Sequence, residues 1–334
     1  MALVSILIPA YKARYLREAI VSALGQTLRD IEILVGDDTV NADLASLVES
    51  FSDPRIRYFH HGFQKGTLNF QALWRRASGK YVKWLCDDDI LMPASAEVLS
   101  SALSVNPSSL LAFHDRVIID GNSQVVAQPT SLLQLGQTAL VDRSFLVQRM
   151  VASLHNFIGE PSNVMLDRER VDVERIVDYR GMQLDFLGSD VAMFLNIAEL
   201  APIVAVGGYL SAFRKHDAQA SKVLSSNFSA GLYEWELMVR AEAAEGNLPA
   251  FLLDGAKQRL RALYAGYTGD LPEIARLIAN LDELTRSEPS ALLRSERFQA
   301  DFAYARASVA QRIAERKRQA AALLASSSQP ATVL

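Results

Sequence analysis

The chain has 334 residues, enough for about two domains at a typical size of roughly 150 residues each. Half of it is apolar and 22% is charged, a globular balance that excludes wholesale disorder and collagen-like or mucin-like chains. With 34 basic against 38 acidic residues, a net charge of −4, no global positive field gathers nucleic acid, so any anion site has to be local; the single cysteine, Cys86, excludes an intrachain disulfide and fits a reducing compartment.

The opening MALVSILIPAYKAR has no basic residues ahead of its apolar run, and Pro9 interrupts that run, so it reads as a strand and not as an export signal. The most apolar later stretch, Ala201 to Leu210, contains two glycines and is too short to span a bilayer, so no transmembrane segment is expected.

From residue 1 to about 120, short β-branched runs alternate with longer amphipathic ones, the pattern of a parallel sheet covered by helices. Strands are predicted over Val4 to Ile8, Ile31 to Val35, Ile56 to His60, Tyr81 to Leu85 and Leu110 to Ile119. Helices are predicted over Leu16 to Leu24, Asn41 to Phe51, Leu68 to Ala77 and Ala94 to Leu103, and a turn at Gly121-Asn122. Residues 130 to 210 carry weaker signals: a helix over Phe145 to Val151, a turn at Gly159-Glu160-Pro161-Ser162 and a helix over Val191 to Glu199. From about 228 the pattern is helical, with segments Tyr233 to Ala244, Pro249 to Tyr264, Leu271 to Leu284 and Asp301 to Leu324, and then a Ser-rich tail. No repeat of 20 to 50 residues is visible.

Two acidic groups follow strands. Asp87, Asp88 and Asp89 come after Tyr81 to Leu85, and Asp37 with Asp38 after Ile31 to Val35, which places both on the carboxyl edge of a parallel sheet, where ligands bind. Adjacent carboxylates raise one another's pKa unless a cation neutralises them, and hard oxygen donors suit Mg²⁺ or Mn²⁺. The plainer alternatives are an acidic turn capping the helix near Ala94 and an Asx-type turn before the helix at Asn41.

The order of these features resembles the amino-terminal half of family 2 glycosyltransferases: Pro9-Ala10-Tyr11 after the first strand, Asp37-Asp38 after the second, Gly66 with Asn69, then Gly79-Lys80-Tyr81 running into Leu85-Cys86-Asp87-Asp88-Asp89-Ile90 and Pro93. The resemblance is close over about the first 105 residues and looser to about 221. It implies a GT-A fold, Rossmann-like with a mostly parallel sheet flanked by helices, over 1–225. Within it, 1–105 would form the nucleotide-binding half and 106–225 the acceptor-binding half, followed by an α-helical extension over 226–325 and a tail over 326–334.

Carried over position by position, the resemblance implies that Pro9, Ala10 and Tyr11 lie against the nucleotide, with Asn69 also on the nucleotide side. The acidic pair would read base and ribose, first Asp37 and second Asp38, which admits UDP or dTDP donors. The family's Gly-Ser after that pair is replaced here by Thr39-Val40. Anchoring the metal motif on Ile90 and Pro93 puts Cys86 where the family has its first Asp, makes Asp88 the ligand for Mg²⁺ or Mn²⁺, and leaves Asp87 to support ribose or metal. In a strand, Asp88 would point with Cys86, and Asp87 with Asp89 the other way. Cys86 reads as a small buried filler and not as a reactive thiol.

Further along, Leu187-Gly188-Ser189-Asp190 before a helix resembles the family's Glu-Asp motif, which makes Asp190 the general base of inversion, with Asp185 as second choice; on the residues alone Asp190 reads as an ordinary N-cap. Tyr209 to His216, with Ser221 beyond, resembles the closing strand and Arg-x-His loop, giving Arg214 and Lys215 to the leaving diphosphate and His216 to it or the metal. The expected activity is transfer of a sugar from a nucleotide-diphosphate donor to a glycan or lipid-linked acceptor in bacterial surface polysaccharide synthesis, in the cytoplasm at the inner face of the membrane. Two other readings stand beside it: a catalytically silent nucleotide-sugar-binding or scaffolding module on the same fold, and a nucleotidyltransferase, whose phosphate loop Pro9-Ala10-Tyr11-Lys12 does not resemble. The basic cluster Arg312, Arg316, Lys317 and Arg318 reads first as a solvated helix face and second as a peripheral membrane or partner-helix contact, and the helical region is where a homo-oligomer would form.

Overall fold

The computed structural model describes residues 2–174, 176, 178–184, 189–216, 228–269, 271 and 273–327. They form two compact units, one of residues 1–146, 156–185 and 189–217, the other of 147–155, 186–188 and 218–334. In the first unit the elements run β1 (Val4–Ala10), α1 (Ala13–Leu24), β2 (Ile31–Asp37), α2 (Ala45–Glu49), β3 (Ile56–His60), α3 (Gly66–Arg76), β4 (Tyr81–Trp84), β5 (Ile90–Leu91) and α4 (Ser95–Val105). They continue with β6 (Leu111–Ile119), β7 (Val125–Ala127), β8 (Thr138–Val141), α5 (Arg143–Leu146), β9 (Val164–Asp167), the small pair β10 (Asp178–Tyr179) and β11 (Met182–Gln183), α6 (Ser189–Leu200) and β12 (Ile203–Arg214).

The main sheet has the order β3-β2-β1-β4-β9-β6-β12-β5, with β7 on β6 and β8 on β12. Its β3-β2-β1-β4 half is parallel, whereas β9 enters antiparallel between β4 and β6. Every residue from Val4 to Leu7 and Ile8 itself is fully buried or nearly so, because both faces of β1 are covered. On one face Ile6, Ile8, Ile33 and Val35 pack with Leu16 and Ile20 of α1 and Leu99 and Leu103 of α4. The alternate positions Leu34 and Gly36 face α3, and a Cβ on Gly36 would sit 2.3 Å from the Asn69 side chain, so glycine is required there for α3 to approach.

One predicted helix and one predicted strand are shorter than expected. Asn41 to Phe51 is helical only over Ala45–Glu49, because the Asp37 carboxylate and the Thr39 hydroxyl accept the N–H groups of Leu44 and Asp43 and hold the preceding residues in turns. The strand Tyr81 to Leu85 stops at Trp84, and Cys86 to Asp89 form a turn closed by Asp89 N–H to the Cys86 carbonyl at 3.2 Å. Strand alternation therefore does not govern the acidic triplet. The long strand β12, whose first half stands out only as part of an apolar run in the sequence, lies between β6 and the edge strand β5.

The second unit is helical: α7 (Phe228–Ala244), α8 (Ala250–Ala265), α9 (Ile274–Ile278), α10 (Glu283–Arg286) and α11 (Glu296–Ser327), with a π-helical turn at Val147–Val151. The expected single helix Leu271 to Leu284 is two short ones. Among its buried charges, Arg240 meets Glu236 at 2.8 Å and Glu283 at 3.1 Å, while Tyr264 donates to Glu236 at 2.8 Å. Of the basic cluster, Arg312 pairs with Glu273 at 2.7 Å; the side chains of Arg316 and Lys317 lie outside the described residues. No helix among the described residues is long and apolar enough to cross a membrane.

Candidate active site

Strand β1 has β2 on one side and β4 on the other, so their carboxyl ends flank the crevice where connections depart in opposite directions. Ala10 is in register with Asp37 across that rim. Tyr11 is exposed, and the backbone at this point is clamped from the third strand end: Asp87 Oδ2 accepts the N–H groups of Tyr11 at 2.7 Å and Lys12 at 2.9 Å. Burial, together with the neighbouring Asp88 charge, pushes the Asp87 pKa up against the pull of these bonds. Asp87 thus ties the Pro9-Ala10-Tyr11 segment to the acidic turn.

The acidic pair divides its work differently from the expectation. Asp37 is fully buried and its two oxygens accept four hydrogen bonds, from Thr39 N–H at 2.8 Å and its hydroxyl at 2.6 Å, from Leu44 N–H at 3.0 Å and from the Tyr58 hydroxyl at 2.8 Å. A carboxylate has about four acceptor positions, so Asp37 is saturated by its own turn; although burial opposes it, these bonds hold its carboxyl below the usual range. Asp38 accepts two, from Gln64 N–H at 2.9 Å and Lys65 N–H at 2.7 Å, and keeps acceptor capacity. Asn69 is likewise engaged: its Nδ2 donates to the Gly36 carbonyl at 2.8 Å and its Oδ1 meets His61 Nδ1 at 2.7 Å, so it joins α3 to β2 from a buried position.

The three carboxylates of the turn fan out in three directions. Asp87 takes the Tyr11 backbone. Asp88 Oδ2 lies 2.9 Å from His216 Nε2. Asp89 turns inward, accepting the Ser162 hydroxyl at 2.6 Å and the Arg214 N–H at 3.1 Å; burial and the Asp88 charge push its pKa well above the carboxylate range.

Arg214 does not reach solvent. Its guanidinium is fully buried, donating to the Asp88 carbonyl at 2.8 Å, Ser123 at 2.8 Å, the Asp120 carbonyl at 3.2 Å and Glu18 at 2.8 Å, with Tyr15 stacked 4.2 Å away. The expectation that it meets a diphosphate gives way to a role beneath the turn, because its planar fork is occupied by four partners. Lys215, next in sequence, is exposed.

Asp190 stands in the first turn of α6 and lines a cavity of about 230 Å³ with Pro9, Cys86, Pro161, Ser189 and the apolar side chains Phe70, Trp84 and Met193. Cys86 sits on that wall, only partly covered. Its thiol pKa is pushed well up, by burial first and then by the charges of Asp89, Asp88 and Asp190, which keeps it protonated and poorly nucleophilic. Asp185 and Ser221 lie outside the described residues.

The resemblance implies that the segment Gly159-Glu160-Pro161-Ser162 lies where the family's acceptor docks, without roles for its individual residues. Gly159 has φ +91°, and a Cβ there would collide with the Arg116 guanidinium at 2.3 Å, so glycine lets Arg116 pass to Glu160, which it pairs at 2.5 Å. Ser162 accepts the Cys86 N–H at 3.0 Å as it donates to Asp89.

For a divalent ion, the Asp88 carboxylate offers a hard oxygen suited to Mn²⁺ or Mg²⁺, and the His216 imidazole beside it offers a nitrogen, a donor that favours a transition ion over Mg²⁺. Among the described residues no three acidic, histidine or cysteine groups form a complete metal cage. A site of this kind fits an ion that completes its shell with substrate phosphate oxygens.

A mixed sheet flanked by helices, acidic at the carboxyl rim of its parallel half and with a cavity between that rim and an acidic helix start, defines the chain as a GT-A-type protein. The solved Staphylococcus aureus TarS segment 1–349 in complex with UDP-GlcNAc has this architecture, with a TM-score of 0.60 and 15% identity, covering 96% of this chain and 92% of that one. Residues 5–159 match the family described as Glycosyl transferase family 2, and the chain belongs to that family through this domain. A Rickettsia felis protein described as an uncharacterized glycosyltransferase is 30% identical over 232 residues, 67% of this chain and 36% of its own length. The Escherichia coli UDP-Glc:alpha-D-GlcNAc-diphosphoundecaprenol beta-1,3-glucosyltransferase WfgD is 33% identical over 125 residues, 37% of this chain and 49% of its own. The chain spans between a fifth and about a third of the length of the Rickettsia relatives it matches.

Proposed function

We propose that this protein is an inverting glycosyltransferase that moves a sugar from a UDP- or dTDP-activated donor to an acceptor hydroxyl in one displacement. The observation that carries the reading is that Asp190, Pro9 and Cys86, the residue that opens the acidic turn, border one cavity. Asp190 accepts the proton of the acceptor hydroxyl as its oxygen bonds to the sugar C1; the bond from C1 to the diphosphate oxygen breaks, and the nucleoside diphosphate leaves with that electron pair. Asp190 returns the proton to water.

Pro9, Ala10 and Tyr11 form the nucleotide platform, held in place by Asp87. Asp38, which retains acceptor capacity, takes the base N–H in preference to the saturated Asp37. Lys215 faces the departing phosphates from its exposed position. Asp88 and His216 would hold Mg²⁺ or Mn²⁺, whose charge stabilises the leaving diphosphate. A lipid-linked glycan acceptor at the inner face of the membrane is the preferred setting, supported by the diphosphoundecaprenol acceptor in the name of the Escherichia coli relative. The test is product formation and donor hydrolysis across a nucleotide-sugar panel, with and without Mn²⁺. Turnover abolished in both Asp88→Asn and Asp190→Asn is expected; near-wild-type turnover in both would overturn the site.

A further inference from the structure

Beneath the cavity runs a polar chain that this mechanism does not use. Lys83, on β4 in the middle of the sheet, is completely buried, which is costly for an ammonium unless it is well partnered. Its Nζ donates to the Ser162 carbonyl and lies 3.3 Å from His114 Nε2. His114 donates from Nδ1 to the Asp115 carbonyl at 2.9 Å, which leaves Nε2 as an acceptor, also for the Ser95 hydroxyl at 2.8 Å. Burial pushes the Lys83 pKa down to about 7, against the opposing charge of Asp89.

Ser162 is the hub of this chain. Its carbonyl takes Lys83, its hydroxyl donates to Asp89 at 2.6 Å, and the same oxygen accepts the Cys86 N–H at 3.0 Å. Its neighbour Pro161 and its partner Cys86 are both cavity walls. One side chain therefore sets the distance between the segment at 159–162 and the turn that carries Asp87 and Asp88.

We infer that Ser162, anchored by Lys83, is a positioning residue that fixes the Pro161 wall of the cavity against the acidic turn. The inference rests on the glycosyltransferase reading and assigns a task to residues that touch neither nucleotide nor ion. Misplacing reacting groups by about 1 Å costs on the order of a hundredfold in rate, so loosening this joint lowers turnover while leaving the nucleotide platform intact.

The experiment compares wild type, Ser162→Ala, Ser162→Thr and Lys83→Met. Ser162→Ala is expected to lower kcat at least about tenfold, with the UDP dissociation constant measured in Mn²⁺ within about threefold of wild type; Ser162→Thr, which keeps the hydroxyl, restores most of the rate. Lys83→Met is expected to repeat the kcat loss, and a Lys83→Met/Ser162→Ala pair to add little to it. Unchanged kcat in Ser162→Ala, or UDP affinity lost in parallel with it, overturns the inference and leaves the glycosyltransferase reading standing. If wild type transfers no sugar to any acceptor, that reading fails on its own. The joint is then judged by amide hydrogen exchange: the Cys86 N–H exchanges at least about tenfold faster in Ser162→Ala with β1 unaffected, and no change at Cys86 refutes it.

Discussion

Asp87 closes onto the backbone of Tyr11 across 76 positions of sequence, its Oδ2 accepting the Tyr11 N–H at 2.7 Å and that of Lys12 at 2.9 Å. This clamp makes the first and fourth strands present one continuous rim. Asp87→Ala removes two charge-assisted bonds worth together about 2 kcal/mol net, so UDP affinity is expected to fall about thirtyfold. Titration calorimetry checks this; affinity within twofold of wild type would show that the platform holds its shape without the clamp.

Asp190→Asn preserves the shape of the first turn of α6 but cannot accept a proton. The expected result is a kcat about 10² to 10⁴ lower, the range for losing a general base, with UDP affinity unchanged. A loss of nucleotide binding instead would move Asp190 from the acceptor side to the donor side.

For Asp88, the readout is the ion. Asp88→Asn is expected to weaken Mn²⁺ binding in the presence of UDP at least about tenfold, and His216→Ala to do so less severely. Equal Mn²⁺ affinity in Asp88→Asn and wild type would remove this residue from the metal site.

Arg214 and Lys215 are adjacent and should behave oppositely. The Arg214 fork bridges the Asp88 carbonyl, Asp120, Ser123 and Glu18 from a fully buried position, and a lysine cannot span them. Arg214→Lys is expected to destabilise the fold by about 3 kcal/mol. Lys215→Ala should leave stability within about 0.5 kcal/mol and raise the donor KM. Denaturant melts and donor kinetics on the two variants decide it.

The Asp37 turn predicts a pH signature. Its folded pKa lies below the unfolded value, so its contribution to stability is complete above the ordinary carboxylate pKa of about 3.9 and is lost as pH falls through the depressed folded value. Asp37→Asn, which presents an amide to an all-donor cage, is expected to cost about 2–3 kcal/mol near neutral pH. That deficit should shrink on acidification below pH of about 4. A deficit independent of pH would mean that the charge at Asp37 is not what the turn requires.

The strands Val4 to Ile8 and Ile56 to His60, the turn at Gly121-Asn122 and the helix start at Asp190 were legible because each depends on neighbours in sequence: hydrophobic period, glycine placement, a short capping side chain. The order of motifs also identified the family. Where a carboxylate points is another matter. Alternation along a strand would pair Asp87 with Asp89, but the strand ends at Trp84 and the turn sends one to Tyr11 and the other to Ser162 and Arg214. Asn69 and Arg214 match the expected motif positions, yet their polar atoms are consumed by Gly36, His61, Glu18 and Ser123, partners brought together only by folding. The sequence by itself determined the α/β sheet, the family and which residue types stand on its rim, since local pattern and motif order suffice for these. Only the tertiary structure decided which acids keep free acceptor positions and which are saturated, because hydrogen-bond capacity is spent on partners as far as 196 positions away in the chain.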